Sequence, residues 1–542
     1  MRFKKRTGVA IGFSNQKFLE LVASTVGISP VGVLGRETPL DLSSLEAARG
    51  SLLLRELFSK YDDGKPSPEK EAETWKRFHA AETLCRESNF WISRTFRWDP
   101  FWVRVAGRIR DVLGEFSWDE CAKSFGHGPG GTTRLPRAKA YAAYKYSGKP
   151  ESTSGNAVLA SCAIRVIPLW ETTVRSSGNT PDDLIKIVPG NSIITVPKSY
   201  KTDRTIAKEP CMNVYIQKGI GTVIRRRLKR VGVDLNDQSR NQQAALLGSL
   251  TGSLATVDLS MASDTVSFEL VSFLLPNDWW WALEQARSPV GTLASGEVIR
   301  YQKFSSMGNG YTFELESLFF WAIAQEVCCR DSNEKDDRIL VYGDDIVVPT
   351  ENCQSLLWRL YQAGFKPNPD KTFYSGPYRE SCGKHYYLGK EITPFYVRKP
   401  VEKLSRLFLA HNNLYRFSER TGIDCSEVLL GLRRLAPASW REPRLPDGFG
   451  DGAFIGAVDE LRMDSHPYGW ECWQVNVLQV SSQELEGDSP AGQLIASLNA
   501  LSLDVSDRVL QRCNFRETLS GLPEKEGPMR ELPLRIRRYP SA

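Results

Sequence analysis

The 542-residue sequence has no apolar run long enough to span a bilayer. Its basic start, Met1-Arg2-Phe3-Lys4-Lys5-Arg6, is not followed by the apolar core of a signal peptide. These two absences predict a soluble chain that stays where it is made. No G-x-x-x-x-G-K-[ST] order occurs, which argues against a P-loop ATPase or helicase. Eleven cysteines are present, an odd number with no C-x-x-C pair and no regular spacing. They read as reduced thiols, not as a disulfide framework or a zinc cluster. Cys382-Gly383-Lys384-His385 has no second Cys/His pair to complete a metal site. Internal repeats are also lacking.

Hydrophobic content of 41% and charged content of 25% are ordinary for a globular protein. The length predicts two to four subdomains. Fourteen Trp and eighteen Tyr suit either large cores or base-stacking surfaces. A net charge of +6 is a mild tilt towards polyanions.

The most informative stretch is Tyr342-Gly343-Asp344-Asp345, between Arg338-Ile339-Leu340-Val341 and Ile346-Val347-Val348. Two short β-branched runs joined by Gly-Asp predict a hairpin, glycine supplying the unusual backbone angle. A polar turn explains the glycine and one acid, but not a second acid leading into an all-apolar strand. Adjacent carboxylates at a buried tip repel and lose solvation, so a positive charge belongs there. Mg²⁺ meets that need, since it takes one or two carboxylates plus substrate phosphates.

Along the chain, Lys60 to Lys70 reads as a loop, and Glu71 to Phe116 as helical, with Phe101-Trp102-Val103 and Val112-Leu113 on one apolar face. Gly126 to Thr133 (GHGPGGTT) is Gly-rich, either a flexible loop or a phosphate cradle. Lys139 to Lys149, interleaved with Tyr141, Tyr144 and Tyr146, suits a nucleic-acid backbone or a solvated helix face. Residues 198–230 hold ten basic side chains against Asp203 and Glu209, a local excess larger than that of the whole chain. Ile193 to Ala207 alternates like two strands around Lys201-Thr202-Asp203, and Asn213 to Val231 looks helical. Such a concentration is a solvated face or a contact for polyanion or triphosphate.

Leu254 to Ser260 reads as a buried strand carrying Asp258 near its end, with a helix starting at Ser260 to Asp264. Trp279-Trp280-Trp281 looks like packing. Ser305 to Gly310 is a loop entering the helix Tyr311 to Cys329, apolar nearly all round and hence buried. Asn352 to Ala363 is a helix ended by Gly364, and Phe365 to Lys371 a strand and turn. His385–Leu388 and Ile392–Arg398 read as a hairpin, Val401 to about Leu435 as helical, and the remainder as loops with short helices and a basic tail, Met529 to Arg538.

Asp258 is the partner acid that Asp344 and Asp345 require. One carboxylate from a strand and two from a neighbouring hairpin can hold two Mg²⁺ ions about 3.5–4 Å apart, with Mn²⁺ as an equivalent oxygen-loving ion. That arrangement serves in-line phosphoryl or nucleotidyl transfer. Cationic side chains of 198–208 would grip a triphosphate, and Lys371 would protonate the leaving group.

The order of parts resembles the motif series of palm-type RNA-dependent RNA polymerases. It runs from basic strand pair to acid-bearing strand, Gly-Asn-Gly loop with buried helix, Gly-Asp-Asp hairpin, Lys-bearing turn and hairpin. More closely, several segments look like the replicases of single-stranded RNA bacteriophages, the leviviruses. They are Val196-Pro197-Lys198, Lys201-Thr202-Asp203-Arg204, Ile220 to Leu235, Asn236-Asp237-Gln238, Asp258-Leu259-Ser260, Met307-Gly308-Asn309-Gly310 with Thr312 to Ser317, and Arg379 to Gly383. Gly128-Pro129-Gly130 is similar to a stretch of their amino-terminal half. The likeness is dense over about 190–400, sparse before and slight after about 440.

The resemblance implies an RNA-templated RNA polymerase using NTPs, with an α+β right-hand fold. Fingers and an amino-terminal extension would occupy 1–250, the palm (an antiparallel sheet backed by helices) 251–398, and thumb and carboxy-terminal region 399–542. Asp258 and Asp344 would be the principal metal ligands, with Asp345 assisting and Lys371 catalytic. Asp264 and Asn309, beside Gly308, would read the ribose 2′-hydroxyl, and Arg204 with Lys198 or Lys201 would hold the triphosphate. Arg225, Arg226, Arg227, Lys229 and Arg230 would contact RNA. Asp258 and Asp264 are spaced as in the phage enzymes, one residue wider than in many animal-virus polymerases. Met261 is bulkier than the residue usual there. Implied partners are template and nascent RNA, the bacterial host's elongation factors Tu and Ts, and a ribosomal protein for some templates, all in the infected host's cytoplasm. A reverse transcriptase shares the Tyr-x-Asp-Asp hairpin but would place an aromatic gate after the first acid, and Ser260 to Asp264 offers none. A non-catalytic RNA-binding protein would keep its acids as structural residues.

Overall fold

Residues 11–176, 184–329, 335–461, 464–465, 471–480, 490–502 and 529–537 are described by the computed structural model. The hairpin expected at the centre is present. Leu340–Tyr342 runs antiparallel to Asp345–Pro349, Asp345 faces Tyr342, and Gly343-Asp344 makes the turn. Gly343 sits at φ 60°, a conformation that costs an L side chain about 1–2 kcal/mol.

Strand Leu254–Val257 adds antiparallel to the other edge of Asp345–Pro349, giving a three-stranded sheet with the Gly-Asp-Asp strand in the middle. Both faces are covered, which explains why these strands read as continuous apolar runs. Val341, Ile346, Val348, Ala255 and Val257 join the main core with the helix Thr312–Cys328. Leu254 and Val347 pack with Ala244 of the helix Ser239–Thr251 on the opposite side. At Asp258 the strand changes partner, and Leu259-Ser260 pairs with Lys366-Pro367.

The basic segment folds as its pattern implies. Asn191–Pro197 and Asp203–Lys208 form an antiparallel pair, and Cys211–Arg230 is a helix. Strands Val290–Thr292 and Val298–Arg300 extend that pair to a four-stranded sheet.

Several expectations are corrected. The helical region from Glu71 is two helices, Pro68–Thr95 and Pro100–Leu113. Asp99 breaks it by capping the second, its carboxylate accepting from the Phe101 N–H at 2.9 Å, with Pro100 in the first turn. Phe101 and Trp102 are buried, but Val103 is 51% exposed, one step round the helix from the apolar face. Ser260–Asp264 yields only a 3-10 turn, Ala262–Asp264, after Met261 at φ 60°, and the helix proper starts at Phe268. The later hairpin is Tyr378–Ser381 with Lys384–Tyr387, turning through Cys382-Gly383, while Lys390-Glu391 adds a short third strand. Ile392–Arg398 forms no strand. Near the C-terminus, Glu471–Val480 pairs in register with Met529–Arg537, a long-range match invisible to local pattern.

Two cores organise the chain. The larger runs from Ile92 to Phe365 and adds Ile495. The second combines Phe18, Leu19, Leu53, Leu54 and Leu57 with Leu407, Phe408, Leu414 and Phe417. Residues 11–58 thus share a core with the region from Phe395 onwards. Main-chain bonds seal that union, from Val397 N–H to the Leu57 carbonyl (2.7 Å) and from Asp62 N–H to the Arg398 carbonyl (2.9 Å). Among the described residues no single helix is long and apolar enough to cross a membrane.

Candidate active site

Asp258 stands where its strand leaves one partner for the next. Asn368 holds it twice: its backbone N–H donates to the Asp258 carbonyl, and its side-chain amide to the carboxylate, both at 2.9 Å. Burial, with repulsion from Asp344, pushes the Asp258 carboxyl up to about 6, against the pull of Lys371 and Asn368.

Asp344 and Asp345 differ in their surroundings. The Asp344 carboxylate has no hydrogen-bond or ion-pair partner among the described residues. One Asp345 oxygen accepts from the Cys382 N–H at 3.0 Å and the Ser381 hydroxyl at 3.4 Å. Burial, reinforced by Asp344 and Asp258, pushes Asp345 up to about 7 despite the Cys382 bond. The turn itself sits on the buried helix, the Gly343 N–H donating to Ser317 Oγ at 3.0 Å. A Cβ on Gly343 would lie 2.4 Å from the Phe313 ring.

The cations named from sequence fall into two groups. Lys198, Arg204 and Lys371 come together with the acids. Partial burial and the neighbouring Arg204 lower the Lys198 pKa, while Asp344 and Asp258 oppose the shift. Neither Lys198 nor Arg204 has an ion-pair partner among the described residues. Lys371 lies 3.3 Å from Glu380; burial disfavours its charge, but Glu380 and Asp258 outweigh that and raise its pKa. Lys201 is exposed at the strand turn, its ammonium 5.4 Å from the Tyr200 ring.

The basic helix is mostly engaged within the protein. Arg225 pairs with Glu314 (2.5 Å), Arg227 with Glu120 (2.6 Å) and Lys229 with Asp234 (2.7 Å), and Arg226 donates to Ser124. Arg230 is exposed at its end. The Gly-rich loop is likewise organised from inside: buried Lys145 donates to the carbonyls of Gly128 and Gly130, so carbonyls rather than N–H groups converge there.

Asp264 is nearly buried, one carboxylate oxygen accepting from Lys303 Nζ at 2.8 Å. The Asn309 side-chain oxygen accepts from the Ser306 N–H at 2.5 Å. Gly308, at φ 118°, packs against the Ala207 carbonyl, which a Cβ would approach to 2.2 Å.

The fold brings in four residues to which sequence reasoning gave no role: Asn368, Glu380, Glu316 and Lys303. Glu316 accepts from the Ser263 hydroxyl at 2.8 Å, and burial together with Asp344 holds its carboxyl well above the usual range. Glu316 is one of three acids, with Glu314 and Glu326, on a helix otherwise largely apolar; unlike the other two it has no arginine partner among the described residues. Glu380 is kept below the ordinary range, against burial, by His385 and Lys371.

Among the described residues no three His, Cys, Asp or Glu side chains form a metal cage. The donor set fits a different kind of site. It is all oxygen, it includes an unpartnered carboxylate beside one raised by burial and repulsion, and Mg²⁺ habitually completes its shell with substrate and water.

A family profile described as RNA replicase, beta-chain, matches residues 17–470. Over 470 residues the chain is 37% identical to the RNA-directed RNA polymerase subunit beta of Qbeta virus (strain MX1), spanning 80% of this chain and 78% of that one. The corresponding subunit of Enterobacteria phage SP is 39% identical over 426 residues, spanning 76% and 72%. The RNA-directed RNA polymerase beta chain of Enterobacteria phage fr is 37% identical over 445 residues, spanning 80% and 79%. Among solved structures, an insertion-loop deletion mutant of the RNA-dependent RNA polymerase of a human picorbirnavirus matches with a TM-score of 0.34 at 12% identity. It covers 66% of this chain and 83% of that one, a likeness too distant to support inference.

Proposed function

The chain belongs to the RNA replicase beta-chain family, the RNA-directed RNA polymerases of RNA bacteriophages, and on that premise we propose how its own residues perform the reaction. The observation that carries the proposal is the pairing of an unpartnered Asp344 with a proton-hungry Asp258, faced by unpaired Lys198 and Arg204. Two carboxylates in that state call for divalent metal, and two cations without acids of their own call for a triphosphate.

Asp258 and Asp344 would hold Mg²⁺, with Asp345 assisting. Bound there, two such ions would lower the pKa of the attacking 3′-hydroxyl and neutralise the charge growing on pyrophosphate. Asn368 fixes the Asp258 carboxylate, and the Gly343–Ser317 bond fixes the turn that presents Asp344. Arg204 and Lys198 draw the triphosphate in, with Lys201 at the outer edge. Lys371, charged beside Glu380, delivers a proton to the departing pyrophosphate. Asp264 and Asn309 read the ribose. The fold serves as a right hand, its three-stranded sheet being the palm, and the remaining exposed cations contact RNA.

Two things follow from the family resemblance alone: elongation factors Tu and Ts as partners, with a ribosomal protein for some templates, and action in the infected bacterium's cytoplasm.

The experiment is labelled GMP incorporation on poly(C) with Mg²⁺, with and without Tu and Ts, beside Asp344→Asn. Synthesis by the wild type and none by the variant supports the site as described. Equal synthesis by both refutes the metal role of Asp344.

A further inference from the structure

Lys303 is the least expected charge in the molecule. Its side chain is 2% exposed, yet it makes no contact with the two-acid centre. Its ammonium lies 2.8 Å from Asp264 Oδ1 and 3.7 Å from Glu82 Oε1. Phe78 and Tyr301 wall it in, with ring centroids at 4.7 and 5.1 Å. Glu82, on the helix Pro68–Thr95, also accepts from the Gln302 N–H at 2.7 Å, so it anchors the segment that carries Lys303. Burying three ionisable groups is costly unless their geometry is needed.

Asp264 keeps one oxygen in reserve. Oδ1 is taken by Lys303, whereas Oδ2 has no hydrogen-bond partner among the described residues and retains contact with solvent. Asp264, Lys303, Thr205, Ile206, Ala207 and Ser306 line one narrow gap, with no room for a water molecule, beside the strand pair Asn191–Pro197 and Asp203–Lys208. A carboxylate on a 3-10 turn would otherwise rotate freely about its terminal torsion, which is broad and roughly two-fold. With Oδ1 held, the plane of the group and the direction of Oδ2 are set before any ligand arrives.

We propose that Lys303 is a positioning residue for sugar selection: together with Glu82 it locks Asp264 so that Oδ2 alone accepts a hydrogen bond from the ribose 2′-hydroxyl of the incoming nucleotide. The proposal rests on the reading of Asp264 as a ribose-recognising residue. It adds that selectivity depends on a buried cation that never touches substrate. A deoxynucleotide lacks the hydroxyl and gains nothing from the fixed oxygen, so loss of the lock penalises ribonucleotides selectively. A site built to hydrogen-bond a hydroxyl discriminates through the cost of leaving a buried polar group unpaired. A carboxylate free to turn aside escapes that cost.

The test measures kcat/KM for GTP and dGTP on poly(C) with the full chain and its host factors. The proteins are wild type, Lys303→Met, Lys303→Gln, Asp264→Asn and the double variant Lys303→Met/Asp264→Asn. Glutamine retains a donor towards Asp264 and protects against loss of folding in the methionine variant. Expected is a fall of about tenfold or more in the GTP:dGTP ratio for Lys303→Met, through a raised KM for GTP, with dGTP little affected. Lys303→Gln should fall less. The double variant should show the same ratio as Asp264→Asn, because Lys303 acts only through Asp264. A folded Lys303 variant of either kind with the wild-type ratio, or one losing GTP and dGTP activity equally, overturns the role of Lys303. Asp264→Asn with an unchanged ratio overturns instead the reading of Asp264 on which it rests.

Discussion

Removing the charge of Asp258 should make the protein more stable while abolishing synthesis. Its carboxyl is moved from 3.8 to about 6, chiefly by burial and then by Asp344. At about 1.36 kcal/mol per tenfold change, that displacement corresponds to a ceiling of about 3 kcal/mol. Asp258 is half-buried, so solvent screening reduces the expected effect to about 1–2 kcal/mol. The sign follows from the order of the two pKa values. The folded state binds this proton more tightly than the unfolded chain, so the ionised form weakens the fold above about pH 6. That weakening fades as pH falls towards about 4. Asp258→Asn removes it and can still accept the Asn368 hydrogen bond. At about 2–4 °C per kcal/mol for a cooperative unit of 150–250 residues, the apparent midpoint should rise by roughly 2–8 °C at pH 7.5 in EDTA. The gap should shrink at pH 5, and saturating Mg²⁺ should close it from the other side by stabilising the wild type alone. Scanning calorimetry at fixed scan rate reads all three conditions. An Asp258→Asn midpoint at or below the wild type in EDTA at pH 7.5 would sink the electrostatic account of this site.

Other consequences are as open to measurement. Lys371→Met should lower kcat by about 10²-fold with little change in KM for NTP, and should reduce the solvent deuterium isotope effect on the chemical step. Equal loss in kcat and template affinity would point to a role in RNA binding. Gly343→Ala places a methyl 2.4 Å from the Phe313 ring at a φ of 60°, so it should cost about 2–4 kcal/mol by denaturant titration. Unaltered stability there would mean the turn is not seated as described. Arg108 and Glu326 form a fully buried pair at 2.9 Å, and Arg108 also donates to the Cys329 carbonyl at 2.7 Å. Arg104 holds the other Glu326 oxygen at 2.5 Å, so Arg108→Met does not strand that carboxylate and should cost about 1–3 kcal/mol by denaturant titration, the penalty for buried acceptors left short of a donor.

What could be read from the sequence was local. The Gly-Asp-Asp hairpin, the basic strand pair and the buried helix each declare themselves within twenty residues, through period, turn chemistry and composition. Asp258 was legible because a lone acid ends an apolar strand. Lys303 was not, because its partner Glu82 lies on a helix more than two hundred residues away and nothing nearby marks either as buried. Glu314 and Arg225 illustrate the same limit. The arginine counted as part of a basic run towards RNA, yet it is paired with an acid from the buried helix. Charge along a chain does not say which charges cancel across it. The helix expected to start at Ser260 failed for a different reason: Met261 adopts φ 60°, and no bulky residue advertises a left-handed conformation.

The second core has a temporal meaning. Phe18, Leu19, Leu53, Leu54 and Leu57 leave the ribosome early, but the residues that bury them begin at Phe395 and extend to Val477. At about 5–20 residues per second, those early helices wait tens of seconds for their cover. A chain cut short before that point carries a bare apolar surface and is marked for aggregation or proteolysis. Completeness is thereby a condition of stability. An RNA-directed RNA polymerase built this way would seldom be joined by half-made copies of itself competing for the same template.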